Sequence, residues 1–97
     1  MAEYEVHFTK PAKEIYITHR NMGTVNKNAV TIGTEKGAVR LYFSYETLVG
    51  VDNLVSQNEW SKTTGKFLNE LEPDKEKRIP NLEVLEKAQE KLKQVLY

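Results

Sequence analysis

The sequence predicts an α+β fold in which an N-terminal antiparallel sheet of four to five strands packs against two C-terminal helices. Before residue 56, short segments alternate apolar and polar residues with the two-residue period of a strand. After residue 60, apolar residues recur every three or four positions, as on an amphipathic helix. We therefore expect a single domain over residues 1–97, with the sheet over about 3–55 and helices over about 62–71 and 82–96.

Composition excludes several classes of protein. The chain has 97 residues, 14 basic and 14 acidic side chains and no cysteine. This balance disfavours a strongly basic DNA-binding domain, and the lack of cysteine excludes disulfides and thiolate metal sites. No apolar run is long enough to cross a bilayer or to serve as a signal core, so a cytoplasmic protein without membrane association is expected.

Two strands are predicted ahead of the first long loop. Residues 4–8 alternate apolar and polar side chains, and Pro11 ends that pattern. Residues 14–19 are rich in β-branched and aromatic side chains and form the second predicted strand. Turn-forming residues over 20–28 then predict a connecting loop.

A hairpin is predicted next. Residues 29–33 and 39–45 flank a polar turn whose Gly37 suits a left-handed conformation, so a loop of three to five residues is expected. Val39, Leu41 and Phe43 should face the core, which leaves Tyr42 facing outwards or towards a helix. Residues 48–51 predict a further short strand, continued or bent by residues 54 and 55.

Two helices complete the predicted fold. Ser61 is a plausible N-cap for a helix that ends before Pro73. Gly65 inside it indicates either that tertiary contacts stabilise the helix or that another backbone segment approaches it closely. A charged connector over 74–78 precedes the second helix start at Pro80 and Asn81. The second helix carries a stripe that is expected to pack on the sheet rather than in a coiled-coil dimer: Leu82, Leu85, Ala88, Leu92, Val95 and Leu96.

No catalytic signature is present, and we expect a protein that is not an enzyme and uses no cofactor. The sequence lacks nucleophile-elbow, zinc-protease, phosphate-loop and dinucleotide-binding motifs. A metal site would need His7 and His19 to meet with Glu5. The strand alternation places His19 in phase with Ile15 and Ile17, which favours two unrelated histidines.

The polar stretch from Ser61 to Lys66 has two readings. Free amide groups and the positive dipole at a helix start can bind an anion, and Lys62 and Lys66 add charge. Helix capping by Ser61 or Thr63 together with a packed glycine explains the same residues, and this interpretation is favoured. Trp60 would then anchor the entry to the helix.

A second candidate surface lies on the sheet. Tyr16, Tyr42 and Tyr45, with Arg20 and Arg40 near them in the pattern, are suited to stacking on single-stranded nucleic acid or to forming a protein hot spot. Helices packed on one sheet face would bury some of these rings. Burial is expected for Tyr45, whereas Tyr42 is as readily exposed as buried.

Residues 42–47, with Phe-Ser-Tyr-x-Thr, and residues 58–69, with Trp-Ser-x-Thr-Thr-Gly-Lys, resemble a family of small uncharacterised phage and mobile-element proteins. The resemblance covers about a third of the chain. It departs at Phe67, where related sequences often have histidine. The resemblance implies origin more than activity, and it favours stoichiometric binding to a host macromolecule over catalysis.

These patterns lead to two functional hypotheses. The first is a phage or mobile-element accessory protein, monomeric or homodimeric, that binds a host protein complex and inhibits antiviral defence. The alternative is a nucleic-acid-binding module that uses an aromatic sheet face and helix N-terminal lysines. The candidate binding surface for these hypotheses comprises Arg40, Tyr42, Trp60, Lys62, Thr63, Thr64 and Lys66.

Overall fold

The computed structural model of the chain describes residues 11–23 and 26–97, so the strand predicted over residues 4–8 lies outside the described residues. Within them, five antiparallel strands lie in chain order across one sheet, and helices follow. The predicted α+β class is confirmed. The elements are β1 Ile15–Asn21, β2 Lys27–Thr34, β3 Gly37–Ser44, β4 Thr47–Val51, β5 Leu54–Val55, α1 Lys62–Leu71 and α2 Asn81–Leu96.

The turns are tighter than the sequence predicts. Strands β2 and β3 pair up to Thr34 and Gly37, so the connection has two residues rather than three to five. Gly37 has a φ of 142°, a conformation that glycine adopts readily. Tyr45 has a φ of 59° and opens the next turn instead of ending β3, which leaves its ring exposed and makes the predicted burial wrong.

The sheet lies between the two helices. Along β3, Val39 and Leu41 belong to the cluster that contains α2 residues, whereas Tyr42 packs with the cluster on α1. Because successive side chains of a strand point to opposite faces, α1 and α2 cover opposite sides of the sheet. The helices therefore divide the core into two layers.

The α2 side holds the larger apolar cluster, whose buried members are Val39, Leu41, Val51, Val84, Ala88 and Val95. The predicted burial of the first two leucines of α2 is wrong, because Leu82 is 67% exposed and Leu85 is 39% exposed. Val84 faces the sheet instead. At about 100° per residue, Leu82 lies about 200° around the helix from Val84 and so points away from the sheet.

The α1 side holds a smaller cluster around Phe67 and Leu68, which are fully buried with Val49 and Val55. An irregularity in the pairing of β3 with β4, next to Tyr42, places Val49 on this side of the sheet. The predicted N-cap is confirmed, since the Ser61 side chain accepts the Thr64 amide at 3.2 Å.

The connector between the helices is held by one buried arginine. Arg78, which the sequence placed in a charged connector, donates to Glu59 Oε2 at 3.0 Å, to Asn69 Oδ1 at 2.6 Å and to the carbonyl of Glu72. The chain then passes the outer edge of β5, where the Ile79 amide donates to the carbonyl of Val55 at 2.9 Å. This route carries the chain from the α1 side of the sheet to the α2 side.

Candidate functional site

Helix α1 leaves the part of its sheet face over β1 and β2 uncovered. The strand pairings align Thr18 with Thr31 and Arg40 in one row, and Arg20 with Ala29 and Tyr42 in the next. All seven residues of β1 are exposed. Residues aligned in this way share a face of the sheet. We call this surface the arginine face, and it comprises exposed Tyr16, Thr18, Arg20 and Arg40, half-buried Thr31 and Tyr42, and buried Ala29.

Two neighbouring cavities open on the arginine face. The smaller has a volume of about 120 Å³ and the larger of about 320 Å³. Both are bordered by Thr31 and Arg40, so they form one continuous depression. Arg20, Thr18, Met22 and Ala29 line the smaller cavity, and Ala38, Val39, Tyr42 and Asp52 line the larger.

The two arginines of this face lack acidic partners among the described residues. Arg40 Nε donates to Thr31 Oγ1 at 3.2 Å, which orients the guanidinium along the sheet. Asp52 borders the larger cavity, but its carboxylate accepts the Arg40 backbone amide and pairs with Lys91 Nζ at 3.0 Å. No ion pair involves Arg20 in the part of the chain that the structure describes. Both guanidinium groups therefore keep donors for a ligand.

The tyrosines of the arginine face differ in availability. Tyr42 is half-buried, with its ring edge-on to Phe67 at 6.4 Å between centroids and packed over Gly50. Tyr16 is 60% exposed. Its hydroxyl donates to Glu14 Oε1 at 2.7 Å, and this hydrogen bond raises the pKa of Tyr16. Tyr16 is thus the more accessible of the two rings.

The remaining candidate residues lie at the start of α1. Trp60 is 49% exposed, Lys62 and Lys66 are exposed and Thr63 is half-buried. We call these four residues the α1 entry surface. Thr64 does not belong to it, because it is buried and its hydroxyl lies 2.8 Å from Ser44 Oγ. The seven candidates therefore separate into two surfaces and one core residue.

Local contacts at the start of α1 support capping. The Ser61 hydroxyl accepts a hydrogen bond from the Thr64 amide. A Cβ atom placed on Gly65 would lie 3.2 Å from Glu59 Oε1. The atoms closest to Gly65 thus belong to the Glu59 side chain, which also binds Arg78, and not to a backbone segment as one of the two sequence interpretations expected. A glycine here leaves room for the Glu59 carboxylate.

We also searched the described residues for metal-binding clusters and for helices that could span a membrane. Over residues 11–23 and 26–97, no three His, Asp or Glu side chains gather as metal ligands do. His19 Nε2 lies 2.7 Å from Asn28 Oδ1, while His7 is outside the described residues. No helix in the same ranges has the length and hydrophobicity needed to span a bilayer.

Sequence reasoning assembled only part of the arginine face. It grouped Arg20 and Arg40 with the tyrosines, but it omitted Thr18, which shares β1 with Arg20, and Thr31, which lies on the strand between the two arginines. The alternation of side chains along a strand could have identified Thr18, because it places Thr18 on the same face as Tyr16 and Arg20. The register between strands was the missing quantity, because strand phase does not show that Thr18 pairs with Thr31 and Thr31 with Arg40.

Comparison with known proteins gives one family and no close relative. No curated protein matches the chain, and no solved structure matches it. The model of a family of unknown function, DUF8033, matches residues 7–87, which include the whole sheet, α1 and the first part of α2. An uncharacterised family was expected from the sequence. The chain belongs to the family of unknown function DUF8033.

Proposed function

We propose that this protein acts by binding rather than by catalysis, and that the arginine face binds single-stranded nucleic acid. The observation that carries the proposal is the pair Arg20 and Arg40, which border one cavity on an uncovered sheet face without carboxylate partners among the described residues. Guanidinium groups bind phosphate through paired N–H donors. The backbone of a nucleic acid supplies such acceptors in series.

The shape of the surface favours a single strand. The depression is lined in part by the small side chains of Ala29 and Ala38, which leave room for an extended chain near the sheet. Tyr16 stands exposed beside it and offers a ring on which a base can stack. The hydroxyls of Thr18 and Thr31 add donors suited to phosphate or sugar oxygens.

The charge of the protein determines the affinity that we expect for nucleic acid. The chain has no net formal charge, so affinity must come from the local pair of arginines rather than from the whole protein. Two phosphate contacts to a single strand correspond to a slope of about −1.4 for log affinity against log salt. Binding should therefore be moderate and should weaken as salt rises.

The test measures fluorescence anisotropy of labelled oligo-dT and oligo-rU over a salt series. We expect Arg20→Gln and Arg40→Gln each to weaken binding and to reduce the magnitude of the salt slope by about 0.7. Lys93→Gln is the matched control, because Lys93 is an exposed cation on α2, across the sheet from the arginine face. Binding that is absent at low salt, or unchanged in the double arginine variant, would refute the proposal.

A second candidate function concerns the α1 entry surface. Trp60 is the observation that favours it, since a half-exposed tryptophan beside exposed Lys62 and Lys66 has the composition of a protein–protein hot spot. The resemblance to phage proteins supports the same reading. In this proposal the protein is a phage or mobile-element accessory protein that binds a defence complex in the host cytoplasm and inhibits it.

A plaque assay separates the two candidates. A phage restricted by a defence nuclease is plated on cells that express the chain or its variants. Under the second proposal, the chain restores plaques and Trp60→Ala abolishes the effect, while the double variant Arg20→Gln with Arg40→Gln retains it. Absence of rescue by the parent chain against a panel of nuclease-based defence systems would count against this proposal alone.

A further inference from the structure

The two edge strands of the sheet, β5 and β1, differ in whether another segment covers them. At one edge, Ile79 covers β5 through its bond to Val55. At the other edge, no described strand pairs with the outer side of β1, whose seven residues are all exposed. Ile15 is 54% exposed and Ile17 is 67% exposed. Over residues 11–23 and 26–97 this edge is therefore open, and an open strand edge that carries apolar side chains is a template for another strand.

We propose that β1 pairs with β1 of a second copy of this chain, antiparallel, about a two-fold axis at Thr18. Thr18 is the central residue of Ile15–Asn21, so this register uses the whole strand. It places Ile15 opposite Asn21 at both ends. An interface of this kind is isologous, because each copy presents the same residues to the other.

The register matches the side chains of the strand with one another. Thr18 faces its own counterpart, which is a favourable cross-strand pair. Tyr16 faces Arg20 of the second copy, where a guanidinium can stack on the exposed ring and keep its in-plane N–H donors. Glu14 is diagonal to the same Arg20, within reach of a long side chain of opposite charge. On the opposite face of the sheet, Ile17 of one copy packs against His19 of the other copy and buries part of its apolar surface.

This pairing joins the arginine faces of the two copies into one surface. Its consequence for nucleic-acid binding rests on the function proposed above. A two-fold axis perpendicular to the sheet keeps both arginine faces on the same side. Strands β3, β2 and β1 of one copy then continue into β1, β2 and β3 of the other. At about 4.8 Å between neighbouring strands, the outer strands of the combined platform are about 24 Å apart, with an α1 helix at each end. One nucleic-acid strand would bind two copies.

Dimer formation is tested without nucleic acid. The parent chain has no cysteine, so Thr18→Cys provides a single thiol, and Thr47→Cys on interior strand β4 is the matched control. We expect a short bis-maleimide to link two Thr18→Cys chains and to leave Thr47→Cys chains mostly unlinked. In sedimentation equilibrium, the parent chain should show a monomer–dimer equilibrium.

Charge exchange at the axis gives an independent readout. Thr18→Lys places two lysines opposite each other, and the dimer dissociation constant should rise by about tenfold. Thr18→Glu should do the same, and an equimolar mixture of the two variants should dimerise again. Thr47→Lys should leave the dissociation constant unchanged. Circular dichroism checks that each variant is folded.

A monomer at every concentration, together with unlinked Thr18→Cys chains, would overturn the proposal and would mean that the edge is covered by another segment or another protein. Dimerisation that survives Thr18→Lys would overturn it as well. These outcomes are distinct from failure of the proposed function. Nucleic-acid binding that depends on Arg40, which lies on β3 and outside the β1 interface, can be lost while the dimer persists, and the dimer can be absent while that binding remains.

Discussion

The two faces of the sheet are built from the same strands but are covered to different extents. On the α2 side, six buried apolar residues and a ring of half-buried ones, including Ile32 and Leu92, fill the space under the helix. On the α1 side, the cluster around Phe67 covers only one end, and polar side chains occupy the rest. The larger apolar cluster therefore lies on one face of the sheet, and the exposed polar side chains lie on the other.

The difference follows from the length and position of the helices. Helix α2 has 16 residues and packs on β3 and β4, whereas α1 has 10 and lies over the end of β3 near Ser44. A short helix buries a short stretch of sheet. The strands beyond its reach need polar side chains on that face, and Thr18, Thr31 and Arg40 fit this requirement.

The largest expected effect tests whether the smaller cluster holds α1. Phe67 is fully buried, and Phe67→Ala should lower the free energy of unfolding by about 4 kcal/mol because it leaves a large cavity. Urea denaturation measures this. The matched control is Leu82→Ala, also a large apolar side chain in a helix, which should cost less than about 0.5 kcal/mol because Leu82 is exposed. Similar losses for both variants would contradict the assignment of the two helix faces.

The next effect concerns Arg78, which ties the connector to the α1 side. Its side chain is 1% exposed, and Arg78→Ala should cost about 3 kcal/mol because three acceptors lose a buried donor. Glu59→Gln should cost less, since Glu59 is 40% exposed and its neighbours regain water. A loss below about 1 kcal/mol for Arg78→Ala would show that the connector is held by other contacts.

A smaller effect is expected where α1 meets β3. Thr64→Val removes the hydroxyl that lies 2.8 Å from buried Ser44 Oγ, and it should cost about 1–2 kcal/mol because Ser44 loses a buried partner. Adding Ser44→Ala should cost little more. A double-mutant cycle in urea measures the coupling energy, and a value near zero would place the two hydroxyls apart in solution.

The smallest effect lies at the exposed tip of the β2–β3 hairpin. Glu35 accepts the Lys13 amide at 2.7 Å, and this hydrogen bond lowers the pKa of Glu35. A carboxyl whose pKa is lower in the folded state contributes stability above its unfolded value, about 4.3, and loses it as pH falls through the folded value. Glu35→Gln should therefore flatten the stability profile slightly below about pH 4.3. An unchanged acid limb would contradict this role.

Local pattern was sufficient for most elements. The N-cap at Ser61, the end of α1 before Pro73 and the hairpin around Gly37 were all predicted from side-chain chemistry that acts over a few residues. Local pattern predicted where α2 begins, but it did not predict which side chains of its first turns are buried. Leu82 and Leu85 satisfy helical spacing as well as Val84 does, and only the sheet beneath selects which of them is buried.

The candidate site divides in the same way. Strand phase alone placed Tyr16 beside Thr18, and Arg40 beside Tyr42, on common faces. It did not fix which strands neighbour each other in register, and so it did not bring Thr31 between Arg20 and Arg40. It also left Thr64 among the surface candidates, although Ser44 draws its hydroxyl into the interior.

The sequence by itself determined the kinds of elements, their order and the absence of a recognisable catalytic motif, because periodicity and capping are local properties of the chain. The tertiary structure decided that the helices lie on opposite faces, that α2 turns Val84 inward and that two arginines share an uncovered depression. These features depend on which surfaces meet across the fold, and burial of apolar area between distant segments sets them.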